Sequence, residues 1–125
     1  MKRLLIIALT VLYLAAINGF DSLIIDKKAD NLDSKLESLY ILAENENPLL
    51  SAAVTDIEIY WEKNEIFFAL ITNHRLTDEL DKDILMLKHY VGINDEQNLM
   101  AKIAECRSMV QEIVRDDDFA WHNIF

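Results

Sequence analysis

Residues 21–44 read DSLIIDKKADNLDSKLESLYILAE, and within them Ile25, Ala29, Leu32, Leu36, Leu39 and Ala43 recur at steps of four, three, four, three and four. Side chains three and four apart share one face of an α-helix, so these six make a narrow apolar seam. Asp26, Lys27, Asp30, Asp33, Lys35 and Glu37 fall on the outer face. An average step of 3.5 residues favours shallow left-handed crossings between helices. One such helix cannot bury its own seam, so the rest of the chain must supply partners.

Toward the amino end the seam gives way to Leu4–Phe20, LLIIALTVLYLAAINGF, which is 17 residues without charge or proline behind Met1-Lys2-Arg3. At about 1.5 Å per residue the run covers roughly 25 Å, the lower edge of a bilayer core. Residues 1–20 are therefore expected to be a single-pass membrane anchor, with residues 4–20 in the lipid. A cleaved signal peptide would share the basic start, but Leu14 with Ala16, or Ile17 with Gly19, make poor small-residue cleavage pairs. A buried core helix is the third reading. No cysteine follows the run to carry a lipid. Lys2 and Arg3 before it are nearly balanced by Lys27, Lys28 and Lys35 after it, so the positive-inside count is close to even. A very short basic start favours an amino end in the cytoplasm and a domain outside it, at the cell membrane.

Toward the carboxyl end the same spacing returns three times. Glu44-Asn45-Glu46-Asn47-Pro48 ends the first helix, with Asn47 as a cap and Pro48 suited to a first turn. Leu50, Val54, Ile57, Trp61, Asn64, Phe68 and Ile71 make the second seam, broadened by Ala53, Tyr60 and Phe67. Asn64 is its one polar member, and a lone buried asparagine more often sets pairing register than performs chemistry. Residues 72–76 read as a turn, with Thr77 capping a third helix on Leu80, Ile84, Leu87 and Val91, stopped by Gly92. Asn94 with Gln97 forms a capping box for a fourth helix on Leu99, Ile103, Cys106, Val110 and Ile113. That helix is expected to weaken at Asp116-Asp117-Asp118, because acids at a helix carboxyl end oppose its dipole. Short connections make successive helices antiparallel. The expected fold is all-α: an N-terminal transmembrane helix, then an antiparallel up-and-down bundle of about four helices over residues 21–125, the first free to run on from the anchor without a break.

The bulk numbers narrow the function. The chain has 125 residues and a net charge of −10, with 52% hydrophobic residues and only two glycines and one proline. Setting Lys2 and Arg3 aside leaves 10 basic against 22 acidic residues, a domain of −12 that repels nucleic acid and anionic lipid headgroups. One cysteine excludes an intrachain disulfide or CxxC motif, and two glycines cannot build a P-loop, nucleophile elbow or dinucleotide fingerprint.

Trp61, the aromatic Phe68 seven residues on, Asn73-His74, the leucines at 76, 80 and 87, His89-Tyr90-Val91, the acidic turn, Ala101 and Ala104, and the closing Asn123-Ile124 carry a further resemblance. Together they resemble the small bacterial proteins grouped as domain of unknown function 4363. The resemblance covers nearly the whole chain, although family members usually carry a second tryptophan where this one has Phe68. It implies membrane attachment and no assigned activity, and it supplies no catalytic residues.

The candidate chemistry is sparse. His74 has no paired base or metal partner, so a turn histidine on the bundle rim is favoured over a pH-sensitive contact. His74, His89 and His122 lack any metal-binding spacing, and Asp116–Asp118 lacks the spaced pattern of a calcium loop. Asp78, Glu79, Asp81 and Asp83 lie on a helix and read as a solvated acidic face. Cys106 on the fourth seam reads as a small buried hydrophobe. No catalytic residues, cofactor or metal are expected, and the protein is not expected to be an enzyme. The surface candidates are Phe119 and Trp121 in the aromatic tail, and Trp61, Phe68 and His74 as a possible ligand site. The expected role is an accessory to another membrane protein, or self-association, without nucleic acid; the alternative is an extracytoplasmic sensor for a small ligand.

Overall fold

The computed structural model describes the backbone of residues 2–124 and the side chains of residues 2–14, 24–70 and 72–115. Four helices are described: α1 (Lys2–Glu44), α2 (Leu50–Ile71), α3 (His74–Gly92) and α4 (Glu96–Ile124). Each packs on its neighbours in cyclic order, α4 closing against α1. Facing partners run in opposite numerical order. Lys35 reaches Asp56 and Lys28 reaches Asn64 between α1 and α2, and Arg75 reaches Glu112 while Lys102 reaches Asp83 between α3 and α4. The bundle is thus up-and-down and antiparallel.

The seams meet in the middle. Ile25, Leu36 and Leu39 are fully buried, with Ala29, Leu32 and Ala43 at 1% exposure. Val54, Ile57, Trp61 and Phe68 face them from α2, Leu76, Leu80, Ile84 and Leu87 from α3, and Leu99, Ile103, Cys106, Val110 and Ile113 from α4. Each aliphatic side chain taken out of water this way contributes about 1.5–3 kcal/mol.

Polar groups fix the register. Asn64 is buried; its amide donates to the Tyr60 carbonyl at 2.8 Å and its carbonyl accepts from the Lys28 ammonium. The Tyr60 hydroxyl donates to the Lys28 carbonyl at 3.0 Å, and the Lys28 ammonium lies 5.2 Å from the Phe67 ring centre. A slip of one turn between α1 and α2 would break all three contacts. Arg107 grips Asp33 with two hydrogen bonds, at 2.9 and 3.2 Å, and joins α4 to α1.

α1 is one helix of 43 residues, so the first bundle helix does continue from the apolar run. Within its amino half, Leu4, Leu5, Ile6 and Ile7 are 72, 65, 62 and 60% exposed. Successive helical residues point about 100° apart, so four in a row sample the whole circumference. The segment is apolar and uncovered on every side, through to Leu14. Among the described residues no helix is long and apolar enough to cross a membrane. The rest of the expected anchor, residues 15–20, lies outside the described side chains.

Several element ends differ from the sequence expectation. α3 begins at His74 and its cap is Asn73, whose side chain accepts from the Arg75 amide. Thr77 is instead buried in the first turn, with its hydroxyl 3.1 Å from that of Thr72. Before α4 the capping side chain belongs to Asp95, which accepts from the Asn98 amide at 3.2 Å. Asn94 has a different job. It sits at φ 55°, where the Asp95 amide donates to the Tyr90 carbonyl and the Asn94 amide to the Val91 carbonyl. This is a Schellman ending with Asn94 in the left-handed position, not Gly92. α1 ends the same way at Glu46, φ 48°, with bonds from the Asn47 and Glu46 amides to the Leu42 and Ala43 carbonyls. α4 runs through residues 116–118 to Ile124. The three acids therefore lie inside a helix and not at its end, where the dipole argument against them would apply.

Candidate functional site

A concavity lies at the end of the bundle remote from Lys2, where the α1–α2 and α3–α4 turns stand side by side. It is an open cleft of about 730 Å³. Leu50 and Val54 of α2, Val91 of α3 and Leu99 of α4 supply apolar walls, with Tyr90 and Pro48 beside them. Glu46, Asp95 and Glu96 ring it with carboxylates, against one cation, Lys88. Lys88 is itself 3.4 Å from Glu58. The two Schellman turns form this rim, so the left-handed residues Glu46 and Asn94 both border the cleft. About 29 residues of α1 separate Leu14 from Ala43 beside the cleft, roughly 44 Å along the helix.

The residues singled out from the sequence lie elsewhere. Trp61 and Phe68 are 2% and 1% exposed and stack on each other, with ring centres 5.7 Å apart and an 18° interplanar angle. The Trp61 indole N–H donates to Asp81 Oδ1 at 2.9 Å, so its polar edge is satisfied across the α2–α3 seam. The pair fills the core and leaves only edges to the surface. His74 is exposed on the first residue of α3, at the opposite end from the cleft. Phe119 and Trp121 lie outside the described side chains.

A second cluster joins α3 to α4. Asp83 is buried; Lys102 lies 3.5 Å from its Oδ1 and 2.8 Å from Glu105, while Asp83 Oδ2 has no hydrogen-bond partner among the described residues. Burial pushes the Asp83 carboxyl above its ordinary range and Glu105 adds to the shift, with Lys102 opposing both. Beside it, burial first and the two carboxylates second raise the Cys106 thiol well above its usual range. Burial both hides this thiol and disfavours the thiolate, the form that acts as nucleophile or metal ligand. Among the described residues no three His, Cys, Asp or Glu side chains stand together to hold a metal ion.

Residues 20–124 match the family model described as Domain of unknown function (DUF4363). The chain belongs to this family. The match takes in all of the bundle and begins at the last residue of the apolar run. No curated protein and no solved structure matches the chain in the corresponding comparisons.

Sequence reasoning missed the cleft because its walls come from two turns nearly 50 residues apart. One signal was present: in an up-and-down bundle the first and third turns share an end, and the chain's proline and one of its two glycines fall in or next to those two turns.

Proposed function

We propose that this protein is a membrane-tethered, non-catalytic helical bundle that works by contact, as an accessory to another membrane protein or by self-association. The observation that carries the reading is the uncovered apolar surface around the whole circumference of α1 from Leu4 to Leu14. A helix apolar on every side is stable in lipid or in a protein core, not in water. The uncharged run continues in sequence to Phe20, which brings its length to the lower limit of a span. Tethered there, with the bundle outside the cytoplasm, the domain would hold its cleft about 35 Å from the lipid, the rise from Phe20 to Ala43. The test is extraction and capture. Full-length protein should stay with membranes through an alkaline carbonate wash and co-purify in mild detergent with one membrane protein or with itself. Release into the wash would end the tether reading.

A second reading, an extracytoplasmic sensor for a small ligand, is favoured by the cleft between the two turns. At about 730 Å³ it falls within the usual range for small-molecule sites. A thermal-shift panel on the full chain in detergent separates the two. A large shift with one compound class, lost on Val54→Trp in the cleft wall, supports the sensor.

A further inference from the structure

The outer face of α2 carries an apolar patch that the core does not use. Ile66 and Leu70 are 75% and 80% exposed, Leu70 the most exposed large apolar side chain described. They lie one helical turn apart on the same face, in the last two turns before Thr72.

Their height along the bundle is fixed by α1. Facing residues of α1 and α2 carry numbers that add to 91 for Lys35 with Asp56 and 92 for Lys28 with Asn64. The same register sets Leu70 across from about residue 21 of α1 and Ile66 across from about residue 25. The uncharged run ends at Phe20, followed by Asp21. The patch thus sits at the level where α1 would leave the lipid. Beside it on α2 lie Glu62, Lys63 and Glu65, with Lys28 over the Phe67 ring and His74 and Arg75 opening α3 across the turn; the long cations suit a headgroup layer and the acids limit how deep the face can enter.

We propose that the tether-side end of the bundle rests on the lipid surface, with Ile66 and Leu70 of α2 seated in the headgroup–acyl boundary. This rests on the tether reading of residues 4–20. A single helix leaves a domain free to rotate and tilt. A second, weaker contact by two aliphatic side chains fixes which face of the bundle looks along the membrane and which way the distal cleft points. Apolar side chains buried about 5–10 Å into that boundary are the means by which interfacial helices bind.

The test uses nitroxide labels on the full-length protein in phosphatidylcholine vesicles, read by collision with oxygen, which partitions into lipid, and with a water-soluble nickel chelate. Cys106 is fully buried, so it does not compete for label. Leu12→Cys reports the tether, Leu70→Cys and Ile66→Cys the patch, and Leu85→Cys, on an exposed mid-bundle position of α3, the aqueous reference. The oxygen-to-nickel ratio is expected to be highest at Leu12 and several-fold higher at Leu70 than at Leu85, with Ile66 between. A lipid-like Leu12 with a Leu70 ratio equal to that of Leu85 overturns the resting contact and leaves the tether standing. A water-like Leu12 overturns the tether and the contact with it. Spin–spin broadening at Leu70 with low access to both reagents means that a second copy covers the patch, and also overturns the proposal. All four positions are exposed, so labelling does not threaten folding.

Discussion

The two ends of α1 belong to one unbroken helix and obey opposite rules. From Ile25 to Ala43 its six seam residues keep a four–three rhythm and vanish into the core, while most of the charged residues hold the other face. From Leu4 to Leu14 there is no rhythm, and each large aliphatic side chain is more than half exposed. The backbone is helical throughout, so secondary structure does not distinguish them. Periodicity does. A seam needs three other helices to cover it, whereas a helix apolar all round needs an apolar surrounding that no element of this chain supplies among the described residues. The carboxyl half specifies a fold; the amino half, on the tether reading, specifies a place.

The comparison predicts a sharp asymmetry in the response to mutation. In the seams, Trp61→Ala should be the most damaging single change. It empties the space of a side chain that is 2% exposed, removes the stack on Phe68, and leaves Asp81 without the indole donor. Large-to-small aromatic changes in cores cost about 3–5 kcal/mol, a large share of the roughly 5–15 kcal/mol that holds a domain together. Chemical denaturation followed by circular dichroism should show the midpoint collapsing. Trp61→Phe should lose much less, because the ring and its stacking partner survive. If Trp61→Ala leaves the midpoint within experimental error, the tryptophan is not in the core.

In the amino half the same kind of change should do the reverse. Leu9→Arg removes no core contact, since Leu9 is 59% exposed, and the denaturation midpoint of the bundle should not move. On the tether reading it should instead shift the protein out of the membrane fraction. An arginine at the centre of a spanning helix costs about 2.5–3.5 kcal/mol of insertion, and a run this short has little to spare. Measured by flotation with vesicles, an unchanged membrane fraction would remove the basis for the tether. A fall in bundle stability would mean the two halves are coupled, and the comparison between them would fail.

Asp83 tests the boundary case, a charged group inside the seam. Its carboxyl is held above its ordinary range by burial and by Glu105. The folded state therefore binds that proton more tightly than the unfolded chain does. Between the ordinary and the raised value, folding takes up a proton and stability falls as pH rises; above the raised value the full loss persists. Asp83→Leu removes the charge and the unpaired Oδ2, and leaves Lys102 its 2.8 Å contact with Glu105. Removing one partner of a buried pair is costly when it strands the other, but Lys102 stays partly exposed and paired with Glu105, so the expected outcome at neutral pH is a small gain, up to about 1 kcal/mol. Thermal unfolding across the acid range should show the difference between variant and parent growing with pH through that window and then levelling. A variant less stable than the parent at neutral pH would show that the Lys102 contact outweighs burial.

How far the sequence could be read depended on which kind of signal each feature leaves. The seams leave a local, repeated signal, and every seam residue with a described side chain is buried or half-buried. The one polar seam position, Asn64, is buried and hydrogen-bonded to α1 as a register pin should be. Its partner Lys28 was not legible, because a lysine on an outer face gives no sign that its ammonium folds back over Phe67. Helix starts slipped by one to four residues where several capping residues compete, Asn73 against Thr77 and Asp95 against Asn94. Leu76, fully buried, already extended the α3 seam backwards and would have decided the first. The distal cleft was out of reach for another reason. No single segment carries it, and it exists only once two turns are placed side by side.

The smallest effect concerns those turns and reverses the usual reading of glycine. Gly92 looks like the stop signal of α3, yet it lies within the helix, has no positive φ, and a Cβ there would meet nothing within 4 Å. The left-handed positions are held by Glu46 at φ 48° and Asn94 at φ 55°. A side chain in that conformation costs roughly 1–2 kcal/mol, and glycine gives back part of the gain in unfolded-state entropy. Glu46→Gly should therefore stabilise by about 0.5–1 kcal/mol. Asn94→Gly should gain less, because asparagine tolerates the left-handed region. Gly92→Ala should also stabilise, by about 0.4–1 kcal/mol, because only the unfolded chain loses freedom. In melts of the three variants, a loss of stability in Gly92→Ala would place the left-handed residue of that turn back at Gly92. A loss in Glu46→Gly would mean that the Glu46 side chain itself holds the rim of the cleft. The first result would redraw only a helix end, whereas the second would give the distal end of the bundle a structural requirement of its own, independent of the tether.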